Sequence, residues 1–221
     1  MLNLMIAMLI PWMPIRVVMD TPIIADVESH LPAGHPYYDA DPITHVHEST
    51  HGINSLIRQH YGRPGFYLLG NKAAVINEPK TTLSKVAQIV PVSLRGEVYD
   101  LYLIQQQIYW QNQPSYVFDE MTAYTNGAEA RRQLNIAERQ ETVRYMLEFI
   151  VYSSCVAKAA PEPQMREFLR YQIERAVAIY HRSAAPTSYL NKLQTNTDAN
   201  ELRCFLRDYF GRSWCRKELG I

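Results

Sequence analysis

Apolar residues recur at intervals of three and four along most of the chain's second half and along separate stretches of its first half. This periodicity predicts a mainly helical protein. In the first half the stretch from Pro42 to about Tyr61 lines up Ile43, Val46, Thr50, Ile53 and Ile57 on one stripe. Its ends are signalled as clearly: Asp41 as a side-chain N-cap, Pro42 at the first helical position, Gly62 and Pro64 as the stop. Further helices are predicted from a Thr81 cap to about Ile89, and from Glu97 to Gln111 on Leu101, Ile104 and Ile108. Another runs from about Val117 past Gly127 and through Arg131 to Ala137, and a strongly apolar one follows from Glu141 to Ala159. After Pro161 and Pro163, the residues Met165, Leu169, Ile173, Ala176, Val177 and Tyr180 mark an amphipathic helix, and Asp198 is the expected cap of a last one toward Phe210.

Strand signals are few. The β-branched residues Ile15, Val17, Val18, Ile23 and Ile24 predict one or two short strands between Pro14 and Ile24. A loop from Val27 to Pro42 is expected next, leading into the following helix, with His30 and His35 in it as substrate contacts or, more commonly, solvated groups. Phe66 to Leu69 and Ala73 to Ile76 flank Gly70-Asn71, which predicts a hairpin. The fold class is therefore α+β, mostly α, with few strands and a helical C-terminal half. No repeat or long linker breaks the chain, so residues 1–221 are expected to form a single domain. Residues 1–15 are apolar but too few to span a bilayer, and read equally as a leader or as a buried N-terminal segment.

Composition narrows the function classes. With 22 basic and 22 acidic residues and no basic run, neither nucleic-acid binding nor steering toward an anionic surface is indicated. No stable membrane insertion is expected, and oligomeric state is left open. The three cysteines, Cys155, Cys204 and Cys215, form no C-x-x-C pair. Cys204 and Cys215 would be bridged in an exported protein and free in a reducing compartment. An extracytoplasmic location is favoured over a cytoplasmic one.

The segment His47-Glu48-Ser49-Thr50-His51-Gly52 carries the chemistry. Side chains at i and i+4 of a helix share a face, so His47 and His51 can offer two imidazole nitrogens to one ion. Glu48, offset from them, suits a base that takes a proton from an activated water without binding the metal. Zinc in a hydrolase takes three protein ligands. The candidate third ligand is Glu120, in Glu120-Met121-Thr122-Ala123-Tyr124-Thr125-Asn126-Gly127, with Tyr124 one turn beyond it on the same face. His45, about 200° round the helix from His47, should not share the ion. Asp119 reads as a cap or salt-bridge partner, and Asn54 and Arg58 as substrate contacts or solvated groups.

With these two segments the chain resembles the zincin metallopeptidases whose third ligand is a glutamate on a later helix, the gluzincins. The nearest pattern is the neprilysin-like one, H-E-x-T-H-G followed by E-x-x-A-D-x-G-G. The resemblance implies a zincin-like fold, zinc held by His47, His51 and Glu120, Glu48 as general base, and a peptide or protein substrate. It also implies a strand edge beside the metal helix onto which a peptide can add as a further strand. Tyr124 stands where that family has the aspartate that orients a zinc-bound histidine.

The expected activity is zinc-dependent hydrolysis of amide bonds without a covalent intermediate, with Glu48 moving the proton. Tyr124 is the expected donor to the oxyanion, ahead of His181, Tyr180 and Tyr171 on a later helix. The alternative is a non-catalytic helical protein whose H-E-x-x-H is accidental or holds a structural metal.

Overall fold

A computed structural model describes residues 23–32, 34, 38–136, 140–183 and 188–221. These residues are mostly helical, and the strands among them form one two-stranded sheet. The described residues divide into two compact units, those within 1–77 and 122–137, and those within 78–121 and 138–221.

The first unit is built on α2 (Pro42–Tyr61), which forms between the caps that its sequence announces. The Asp41 carboxylate accepts from the Thr44 amide at 3.0 Å and from the Thr44 hydroxyl at 2.7 Å. The Thr44 hydroxyl thereby holds the Asp41 carboxyl below its ordinary value, so the cap is complete above that value and is lost as the pH falls. At the other end Gly62 adopts the left-handed conformation and returns its N–H to the Arg58 carbonyl. The predicted stripe of Ile43, Val46, Thr50, Ile53 and Ile57 is buried throughout.

Against α2 lie α1 (Ile23–Glu28) and the antiparallel hairpin of β1 (Gly65–Tyr67) and β2 (Ala73–Val75), paired with Phe66 opposite Ala74. The hairpin is as expected, turning at Gly70 and Asn71. At Gly65 a side chain would meet Ile57 Cγ2 at 2.1 Å, so glycine there lets β1 close onto the helix. Ile23 and Ile24 are helical and not in a strand, because Ile23 and Val27, one turn apart, both enter the α2 core. The rest of the expected Pro14 to Ile24 strand segment lies outside the described residues. His30, expected at the substrate or in solvent, is buried just after α1, and His35 lies outside the described residues. The last contributor to this unit is the larger, C-terminal part of α5 (Tyr116–Gln133), whose Ala130 joins the core.

In the second unit α6 (Gln140–Ala159) is central and buried at every position from Met146 to Ala157. Around it pack α3 (Leu83–Ile89), α7 (Pro163–Arg182), α8 (Tyr189–Thr195) and α9 (Asn200–Phe210), with α10 (Arg212–Leu219) on α7 and α9. Periodicity locates α6, α7 and α9 within a few residues. It misses α8 and α10, which are short and sit between stronger signals. The α3 cap is Thr82, one residue later than expected. Asp198 does not cap α9; its carboxylate accepts from the Ser93 amide at 2.8 Å and hydroxyl at 2.6 Å. The three thiols are free, with Cys204 exposed and Cys215 buried against the Leu206 carbonyl, 3.2 Å away.

The helix expected from Glu97 to Gln111 takes another form. Residues Asp100–Gln105 make a π-helix, with the Gln106 amide bonded to the Leu101 carbonyl, before a single turn of α4 (Gln107–Trp110). Val98 and Tyr99 just before it and Leu103 within it are buried, while Leu101, Ile104 and Ile108 are turned out, the last 78 % exposed.

Just before the π-helix the backbone is stapled to α6 by a buried acid. Glu148 Oε1 accepts from the Glu97 amide at 3.2 Å, and Oε2 from the Val98 amide and the Tyr152 hydroxyl, both at 3.1 Å. A side chain at Gly96 would occupy the space of that carboxylate. Gly96→Ala is therefore expected to cost about 2–4 kcal/mol in chemical denaturation, by driving a buried acid off its donors. The same change in a Glu148→Ala background should cost less than half as much. Burial raises the Glu148 carboxyl above its ordinary 4.5, against the pull of its amide donors. The folded state thus holds that proton more tightly than the unfolded chain. Stability should fall as the pH rises from the ordinary glutamate value through the raised one, and Glu148→Gln should erase that segment of the pH profile.

Candidate metal centre

Capped at both ends and packed along its stripe, α2 presents His47 and His51 on the edge of the buried face, each half-buried. Their Nε2 atoms are 3.2 Å apart and the rings meet edge to face, centroids 4.9 Å apart. Two nitrogens on a tetrahedral zinc with bonds of about 2.05 Å are separated by about 3.3 Å, so the pair already stands at the spacing of a zinc-ligand edge. The same spacing also suits an N–H···N hydrogen bond when one ring carries its proton on Nε2. Glu48, between them in sequence, is exposed.

The helix α5 brings the other groups. Its Gly127 lies beside α2, where a Cβ would stand 3.5 Å from the Ile43 carbonyl oxygen and 3.8 Å from His47 Cβ. One turn back, the half-buried Tyr124 ring meets the His47 ring edge to face at 4.5 Å. One turn further back along the same continuous helix is Glu120, buried at 7 % exposure. One ligand atom from each of His47, His51 and Glu120 lies within 4.8 Å of the others, the only such gathering of histidine, cysteine and acidic side chains among the described residues. The spacing of two short segments thus pointed to a set that the fold brings together.

Other candidates have different roles. Asn54, expected at the substrate or in solvent, is buried; its Oδ1 accepts the Tyr67 amide at 2.6 Å. Arg58 is half-buried further along α2. His45 is buried away from the pair, its Nε2 3.5 Å from a Glu28 carboxylate oxygen. Asp119 is half-buried on α5. On α7 in the second unit, His181 is exposed with its ring against Tyr180, and Tyr171 lies beneath the Arg175 guanidinium.

Sequence reasoning missed the polar lattice behind the histidines. The Tyr67 hydroxyl donates to Asp26 Oδ2 at 2.5 Å, which also accepts the Gly70 amide at 3.1 Å. His30 bridges the Asp26 carbonyl, 2.6 Å from Nδ1, and the Asn71 side chain. On the α5 side, Asn126 Nδ2 donates to the Tyr67 carbonyl at 3.1 Å and to Thr50 Oγ1 at 3.2 Å. Both outward-facing backbone groups of Tyr67 are thereby occupied, so this edge of β1 is closed at that residue to an added peptide strand. One signal was available: asparagine inside a helix is unfavourable, and two of them, at 54 and 126, point to tertiary bonds.

Comparison with protein-family models, curated proteins and solved structures gives no match for this chain. The functional reading therefore rests on the geometry.

Asn54→Ala is expected to leave a buried Tyr67 N–H unbonded and to cost about 1–3 kcal/mol. Chemical denaturation checks the value. Amide exchange at Tyr67 should rise in the variant.

Proposed function

We propose that this chain is a zinc-dependent hydrolase of peptide bonds, built on a zincin-like arrangement of two helices. The observation that carries the reading is the His47 and His51 pair at zinc-ligand spacing with the Glu120 carboxylate gathered to it. Two imidazoles and one carboxylate are a donor set that zinc accepts while keeping a position open. His47, His51 and Glu120 would hold the ion, which when bound lowers the pKa of water toward about 7 and polarises a carbonyl.

The chain's own residues do the rest. Glu48, exposed on the helix that carries both histidines, accepts a proton from the attacking water and returns it to the leaving amine. Tyr124 stands with its ring on His47 and part of its surface open, where a phenol can donate a hydrogen bond to the oxyanion. It cannot replace an aspartate's charge, so its contribution is a neutral donor's. The substrate class that suits this proton traffic is a peptide or protein amide. A second reading has one observation in its favour: the 3.2 Å between the histidines is also a hydrogen-bond distance, as in a non-catalytic helical protein with no ion.

Metal analysis separates the two. One zinc per chain is expected after dialysis, with His47→Ala, His51→Ala and Glu120→Ala each losing most of it; a wild-type chain without zinc would establish the second reading. Full zinc in Glu120→Ala would remove that residue from the site.

Glu48→Gln should keep its zinc and lose about 10²- to 10⁴-fold in peptide hydrolysis. Tyr124→Phe should likewise keep zinc, with kcat lower by about ten- to a thousandfold. Unchanged turnover in either variant, measured on a fluorogenic peptide, would strike that residue from the mechanism.

A further inference from the structure

Between the two histidine-bearing turns of α2 and the outer edge of β1, one side chain of α5 is fully buried and bonded on both sides. Asn126 has no exposed surface. Its Nδ2 donates to Thr50 Oγ1 on α2 and to the Tyr67 carbonyl on β1. Thr50 is committed as well, because its own hydroxyl proton goes to the Val46 carbonyl at 2.8 Å, leaving only a lone pair to meet the amide. The bond from Asn126 to Thr50 therefore has one direction. The next residue, Gly127, is where α5 lies against Ile43 and His47.

We propose that Asn126 is a positioning residue for the metal centre: it fixes the rotation and height of α5 against α2, and so the places of Tyr124 and Glu120 beside His47 and His51. The inference rests on the zinc reading above. Asn126 stands six positions after Glu120 on one continuous helix, so their side chains point about 120° apart and Asn126 does not itself face the ion. Its leverage comes from geometry. A carboxylate stands about 6 Å from its helix axis, so a turn of about 10° carries it about 1 Å. Zinc–ligand bonds tolerate about 0.2 Å. The large buried side chains of α5, Val117, Phe118 and Met121, sit in its first turns, whereas where it meets α2 the small Gly127 and Ala130 offer little relief to lock into a groove. Two directed hydrogen bonds to separate elements supply the missing restraint.

Asn54 is the natural control. It also bonds to the Tyr67 backbone, at the amide, but joins α2 to β1 without touching α5. Zinc(II) affinity by chelator competition, and the visible spectrum after cobalt(II) loading, are to be measured on the full chain as wild type, Asn126→Ala and Asn54→Ala. Asn126→Ala should bind zinc about 10–100-fold more weakly and lose the intense absorption of four-coordinate cobalt. Asn54→Ala, although less stable, should keep the wild-type affinity and spectrum. Equal losses in the two variants, or wild-type behaviour in Asn126→Ala, would overturn the inference and leave the zinc site standing. If Asn126→Ala does not fold, Asn126→Ser, which keeps one donor, takes its place. It should show the same spectral change with a smaller loss of affinity, and an unchanged spectrum overturns the inference. A wild-type chain that binds neither metal overturns the zinc reading, and this inference with it.

Discussion

A buried peptide group that faces away from its own hairpin must find its partners elsewhere, and Tyr67 is where this constraint bears hardest. In a two-stranded sheet every second residue turns its N–H and C=O outward. For Tyr67, 2 % exposed, water is out of reach. The partners come from α2 through Asn54 and from α5 through Asn126, while the phenol reaches α1 through Asp26. A single residue of a three-residue strand thus collects the other elements of the first unit, and the histidine pair lies on one of them.

The second unit meets the same requirement by a different device. There the irregular backbone at Glu97 and Val98 is satisfied by a carboxylate with no exposed surface, supported by Tyr152. Neutral side-chain amides hold the Tyr67 backbone in the first unit, whereas a carboxylate whose pKa burial raises holds the second unit's loop.

How much of this was legible in the sequence depends on whether local signals and tertiary demands agreed. They agree along α2, where cap, stripe and stop fall within one residue of the observed ends, and in the hairpin at Gly70-Asn71. They agree too in the spacing of His47 and His51, because an i, i+4 relation is a property of any helix. They part at Ile23 and Ile24, where β-branching suggested strand but burial one turn from Val27 selected helix. They part again at His30 and Asn54, polar residues expected at the substrate or in solvent that instead bond to buried backbone. No local pattern announces a bond between residues 59 positions apart, such as Asn126 to Tyr67.

The π-helix at Asp100–Gln105 has a consequence of another kind. Relative to a regular helix it holds one surplus residue, and that surplus sets which side of the following turn looks inward. Removing one residue there would rotate everything after it, up to the next loop, by about 100°. Leu101, Ile104 and Ile108 carry the spacing of an ordinary amphipathic helix yet point outward. In frame terms the segment spells one helix and winds as another, and a single-codon deletion is the step between the two.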